Sequence, residues 1–194
     1  MAKTRHTIPK ATREAVLREF NHRCAICGAE RPHVHHLDEN PSNNEVDNLI
    51  PLCPNCHLTD EHDASNRSPE GKLRFFRKYK HRQILKPQFN PLFRRMQFLT
   101  TVSEESTAHG LEQQAEELTT FVMALEMGDF YSGALWKLLK PPRGGPAVVI
   151  GDAQSEARHA AARVEHSERY RGQIRNVAPK VESLIIELLD YQRW

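Results

Sequence analysis

Long apolar runs are missing from this sequence. No stretch approaches the roughly 18 consecutive apolar residues of a membrane helix, and the opening MAKTRHTIPKATREAVL has no apolar segment behind its basic residues. A membrane-spanning or exported protein is thereby set aside, and the expectation is a soluble, cytoplasmic one. Cysteine is scarce: there are 4 in 194 residues and none after Cys56, which excludes a disulfide framework running through the chain. Internal repeats and low-complexity runs are lacking too. A hydrophobic fraction of 39% with 27% charged residues sets wholesale disorder aside, and the length suits one ordinary domain or two small ones.

What is present is unevenly distributed. Through Arg95 there are 17 Lys and Arg against 11 Asp and Glu, and after it 10 against 14, so a net +2 hides a basic front and an acidic back. Eight of the 11 His lie at or before His81. Such asymmetry predicts that the first part meets a polyanion and the second does something else. The four cysteines form two pairs of the same spacing, Cys24-Ala-Ile-Cys27 and Cys53-Pro-Asn-Cys56, with 25 residues between them. Each pair can aim two thiolates at one ion, and four thiolates close a tetrahedral zinc site. With no position open for substrate, that zinc belongs to folding.

Local patterning supplies the elements. Pro9–Phe20 predicts a short helix with Pro near its first position, His33–Leu37 a strand ended by the turn-forming DENPSNN, and Asp47–Leu52 a second apolar stretch. A helix is expected from His57 through LTDEHD, then a loop at 64–68, then a strongly basic helix from Pro69 to Leu85. In the second half Leu111, Ala115, Leu118, Val122 and Leu125 recur in steps of four and three, and Ile174, Val177, Val181, Leu184 and Leu188 repeat the rhythm. These predict two helices packed along seams. Pro141–Pro146 reads as a linker, followed by apolar AVVI and a charged helix from Asp152 that Pro179 should kink or divide.

Within and just after the cysteine-framed loop stand His35, His36, Asn48 and His57. The run CAICGAERPHVHHLDENPSNNEVDNLIPLCPNCH closely resembles the HNH endonucleases that carry a four-cysteine zinc site. The resemblance covers roughly residues 9 to 85 and implies a ββα-metal nuclease fold. It implies that His36 is the general base, that Asn48 pins the loop and orients that base, and that His35 and His57 hold a catalytic divalent ion. Some members add a third metal ligand one helical turn later, where this chain has Glu61 with His62 beside it.

These residue types suit phosphodiester hydrolysis on chemical grounds as well. Imidazole is the side chain that titrates near neutrality and can activate water, and a cation offsets charge building on the phosphate. A pair of imidazoles is a softer set than carboxylates, which favours Mn²⁺, Co²⁺, Ni²⁺ or Zn²⁺ somewhat over Mg²⁺ compared with an acidic site; the working ion stays open among Mg²⁺, Mn²⁺ and Ni²⁺. His33 shares a strand face with His35 by alternation, which makes it a supporting residue or a solvated one; His22 takes the solvated reading.

The basic helix carries Lys72, Arg74, Arg77 and Lys78, expected to face the backbone of double-stranded DNA while Phe75, Phe76 and Tyr79 pack inward. The expected architecture is α+β: a zinc-stabilised nuclease domain over 1–87 and an all-α hairpin or bundle over 88–194. The second part serves oligomerisation, as a homodimer, or binds a regulatory partner. The expected function is a metal-dependent DNA endonuclease of bacterial defence, restriction or a mobile element. Two other readings are a non-catalytic zinc module that binds nucleic acid or a regulatory partner, and an assembly subunit built on the C-terminal helices.

Overall fold

The computed structural model describes residues 7–57, 70–144 and 153–194. Glu61, His62, the helix expected after His57, the loop at 64–68 and the AVVI stretch lie outside the described residues. The chain is mostly helical with one two-stranded sheet, an α+β composition, and it divides into two compact units, Met1–Pro87 and Gln88–Trp194.

In the first unit, helix α1 (Lys10–Glu19) follows Pro9, whose fixed φ suits the start of a helix. It buries Val16 and packs on the sheet. Strands β1 (His33–His36) and β2 (Leu49–Leu52) run antiparallel, pairing His33 with Leu52, Val34 with Pro51, His35 with Ile50 and His36 with Leu49. All four residues of β2 are buried, which is why its composition reads as a continuous apolar run. Two strands of four residues are not stable alone in water. They depend on what is fastened around them.

Helix α2 (Glu70–Tyr79) is the first such fastening. It stops six residues earlier than its basic pattern predicts. Lys80 takes a left-handed φ of 54°, and a separate 3-10 turn over Arg82–Leu85 follows, capped by His81 Nδ1 accepting from the Gln83 amide. Two of its cations also depart from expectation. Arg77 and Lys72 are buried rather than turned to solvent. Arg77 donates to both oxygens of Glu19, at 2.5 and 2.6 Å, and to the carbonyls of Leu49 and Val46. Lys72 donates to the carbonyls of Leu85 and Lys86, and burial lowers its pKa to about 8. An amphipathic helix this rich in cations cannot turn all of them outward, and those on its inner face are usable only where carbonyls or a carboxylate receive them.

The second unit holds α3 (Asn90–Met96), α4 (Phe98–Thr101), α5 (Ala108–Met123), α6 (Gly128–Leu139) and α7 (Ala153–Leu189). The seam residues Leu111, Ala115, Leu118 and Val122 of α5 and Ile174, Val181 and Leu188 of α7 are buried within the unit itself. They pack with α6, which supplies Tyr131, Leu135 and Leu139. These buried seam residues form an intramolecular core. Pro179 does not divide α7, which continues through it to Leu189; neighbours Ala178, Val181 and Glu182 are buried, so packing holds the backbone where one hydrogen bond is lost. Gly128 opens α6 because a Cβ there would lie 2.5 Å from the carbonyl oxygens of Val122 and Met123.

Arg77 yields a stability prediction. Arg77→Met should lower the urea unfolding free energy of the zinc-loaded protein by about 1–3 kcal/mol, because it strands the Leu49 and Val46 carbonyls and leaves Glu19 with Lys80 alone. Arg77, with Lys80 beside it, holds the Glu19 carboxyl down at about 2. That stabilisation is complete above the ordinary carboxylate range near 4.5 and is lost as pH falls toward 2, so the gap between wild type and variant should narrow in acid to the share carried by the carbonyls.

Candidate active site

The first knuckle is a short loop folded on itself. The Cys24 amide donates to the Ala29 carbonyl and the Gly28 amide to the Cys24 carbonyl, with Gly28 at a φ of 76°, a left-handed value natural to glycine. The Ala25 amide then donates to the Pro51 carbonyl near the end of β2, joining the knuckle to the sheet. In the second knuckle the His57 amide donates to the Cys53 carbonyl and the Cys56 amide approaches Cys53 Sγ at 3.5 Å. That amide holds the Cys53 thiol down at about 7, whereas burial pushes Cys56 upward.

The four Sγ atoms lie within 4.8 Å of one another, with Cys27 and Cys53 at 3.6 Å. Sulfur atoms about 2.3 Å from a tetrahedral zinc are about 3.8 Å apart, so the donor set fits that ion. Cys24, Cys53 and Cys56 are buried, which suits a site for folding rather than for exchange with substrate.

Beside the cluster, His35 on β1 and His57 at the end of the second knuckle bring Nδ1 and Nε2 to 2.9 Å, their rings edge-on at 4.7 Å between centroids. Two nitrogens bound about 2.1 Å from one ion at a right angle would be about 3 Å apart, so this pair also fits a shared cation. Their approach is a product of both the sheet and the knuckle: β1 carries one ring, and the turn that aligns Cys53 and Cys56 carries the other.

His36 is adjacent in sequence but engaged differently. Its Nε2 lies 3.1 Å from Asn44 Oδ1. An amide oxygen only accepts, so this contact selects the tautomer with hydrogen on Nε2 and leaves Nδ1 as the basic nitrogen. Asn48, buried as the last residue of the 3-10 turn Val46–Asn48, has its side-chain hydrogen bonds elsewhere than on His36. It ties the intervening loop instead. Its Oδ1 accepts from the Asp38 amide and from Arg74 Nη2, and its Nδ2 donates to Asp38 Oδ1 and to the Asn43 carbonyl. Hydrogen bonds from Asn48 and Asn43 hold the Asp38 carboxyl down at about 2. The loop so fastened carries Asn44 to His36.

Sequence reasoning singled out Asn48 but missed Asn44 and Asp38. The only trace of either was membership of a turn-forming DENPSNN run, where such residues ordinarily bond their own backbone, as Asn40 and Asn43 do here. Of the cations expected to meet DNA, Arg74 is occupied with Asn48 and Glu70, while Lys78 is exposed and lies 4.9 Å over the Tyr79 ring.

No family model matches the chain, and no solved structure matches it. Among curated proteins it is similar to the H-N-H endonuclease F-TflIV of Escherichia phage T5, with 47% identity over 53 residues. That alignment covers 23% of this chain and 23% of the phage protein, so the chain spans under a quarter of the length of the relative it matches. Among the described residues no helix is long and apolar enough to cross a membrane.

Purified protein should hold about one zinc per chain by elemental analysis, and Cys53→Ser should reduce this to a small fraction. With the zinc removed, amide exchange across β1 and β2 should rise to unfolded rates while α5 to α7 stay protected; protected strands after full chelation would contradict the assignment. Asn48→Leu should free the loop, seen as loss of protection at the Asp38 amide, with zinc content unchanged.

Proposed function

From a chain that fits a zinc-binding HNH nuclease, we propose a metal-dependent endonuclease that hydrolyses DNA phosphodiester bonds at His36. The observation that carries this reading is the pairing of two distinct histidine environments on neighbouring residues. His35 and His57 meet at 2.9 Å, in hydrogen-bond contact and at the spacing of two adjacent ligands of one ion, while His36 is tautomerically set by Asn44.

A single divalent ion on His35 and His57 would supply charge neutralisation at the phosphate and the departing oxygen. His36 does the proton chemistry. With Nε2–H directed to Asn44, its Nδ1 accepts the proton of the attacking water. Asn44 then steadies the imidazolium, since Oδ1 remains hydrogen-bonded to Nε2–H after protonation. Asn48 and Asp38 are positioning residues that act through the loop. The four-cysteine zinc keeps the strand and the knuckle in register, so the histidines meet without an ordering cost on binding. The Gln88–Trp194 unit contributes an oligomerising or regulatory helical module. A mobile-element or defence setting accords with likeness to a phage protein named as an H-N-H endonuclease.

The test is cleavage of supercoiled plasmid by zinc-loaded protein with EDTA, Mg²⁺, Mn²⁺ or Ni²⁺. Wild type should nick or linearise the plasmid only with a divalent ion, and His36→Ala should be inactive with its fold and zinc content intact. Asn44→Ala should lose about 10–100-fold in rate, in line with removal of a partner that orients a site histidine. Cutting that persists in His36→Ala would remove this base from the mechanism.

A further inference from the structure

The burial of Lys72 and Arg77 leaves open how a DNA strand is held at His36, and a recess next to that histidine answers it. The recess has a volume of about 550 Å³ and is lined by Arg13 of α1, by His33, Val34 and His36 of β1, and by Thr7 and Ile8 of the segment before α1. Among the described residues no acidic side chain lines it, although the surrounding unit carries several.

Several cations elsewhere on the first unit are engaged. Arg18 pairs with Glu14, Arg23 with Glu30, Arg74 with Glu70, and Arg77 and Lys80 with Glu19. The Arg13 guanidinium has no partner among the described residues, and Arg13 is exposed. His33 is exposed as well and sits three residues from His36, about 10 Å along the strand. An unengaged guanidinium and an imidazole around an acid-free recess, with Ile8 and Val34 as an apolar floor, match a phosphate-linked chain with sugar faces.

Resting on the nuclease reading, we infer that this recess seats the DNA strand being cut, with Arg13 and His33 holding a phosphate next to the one hydrolysed at His36. The strand then runs between the start of α1 and the outer edge of β1, not along α2. The contact is to backbone, so it sets affinity and register without reading bases.

The test uses the full-length, zinc-loaded protein. A 20-base-pair duplex is titrated against the His36→Ala protein across a salt series, with and without Arg13→Ala, and cleavage kinetics are measured for Arg13→Ala in the otherwise wild-type chain. Arg18→Ala, on the same helix but paired with Glu14, is the control, and Arg13→Lys is the conservative variant. Arg13→Ala should raise Kd and KM about fivefold or more and reduce the salt slope by about 1, the value for one lost phosphate contact. Its kcat should change less than its KM. Arg13→Lys should recover most of the affinity, and Arg18→Ala should match the parent.

Arg13→Ala that behaves as Arg18→Ala in slope and KM, in a protein that cuts DNA, overturns this inference and leaves the nuclease reading standing. A parent that binds DNA but never cuts it removes the nuclease reading, and the salt slope alone then decides the binding track. A parent that neither binds nor cuts overturns both.

Discussion

The convergence of four cysteine sulfurs is the constraint from which the first unit follows. A pair of four-residue strands lacks the area to hold itself together, and the insert between the cysteine pairs is largely polar. Fastening Cys24 and Cys27 to Cys53 and Cys56 closes that insert into a loop whose two ends are the beginning of β1 and the end of β2. The same fastening aligns the backbone at Cys53 so that its carbonyl receives the His57 amide, which in turn brings His57 Nε2 against His35 Nδ1. Cys56 of the cysteine cluster and His57 of the histidine pair are thus consecutive residues of one knuckle.

Two further devices complete the unit, and each uses a polar or charged group in a place ordinarily reserved for apolar ones. Arg77 reaches from α2 across to Glu19 of α1 and to carbonyls at the head of β2, locking three elements with a single planar fork. Asn48 uses both donors and both acceptor positions of its amide on the loop after β1 and on Arg74. Rigid support of this kind suits the role proposed for His36, because a displaced imidazole loses alignment with water well before the fold is lost.

The second unit is built on different physics. Its stability comes from apolar seams on α5 and α7 closed by α6, with the Tyr170 hydroxyl donating to the Leu139 carbonyl at the end of α6. The tight passage from α5 into α6 requires Gly128, since any side chain would meet the backbone of the helix just finished. The inward face of α6 keeps the helical step but fills two of its positions with Gly128 and Ser132, which dilutes the apolar signal that marks its neighbours in the sequence.

By itself the sequence determined the four-cysteine cluster, the order His35, His36, Asn48, His57, the short helix and strands that carry them, and the helical seams of the second half. These are properties of local spacing: ligand pairs separated by a short turn, alternation along a strand, and steps of three and four along a helix. Only the tertiary structure decided which cations remain available. Lys72 and Arg77 carry the same charge as Lys78, yet the inner face of α2 buries the first two and leaves the last exposed. It likewise decided that Asn44, and not Asn48, hydrogen-bonds His36, and that Arg13 shares a recess with strand residues far along the chain. The physical reason is that charge and hydrogen-bonding capacity are written in a residue's type, whereas whether they are consumed depends on partners brought near by folding.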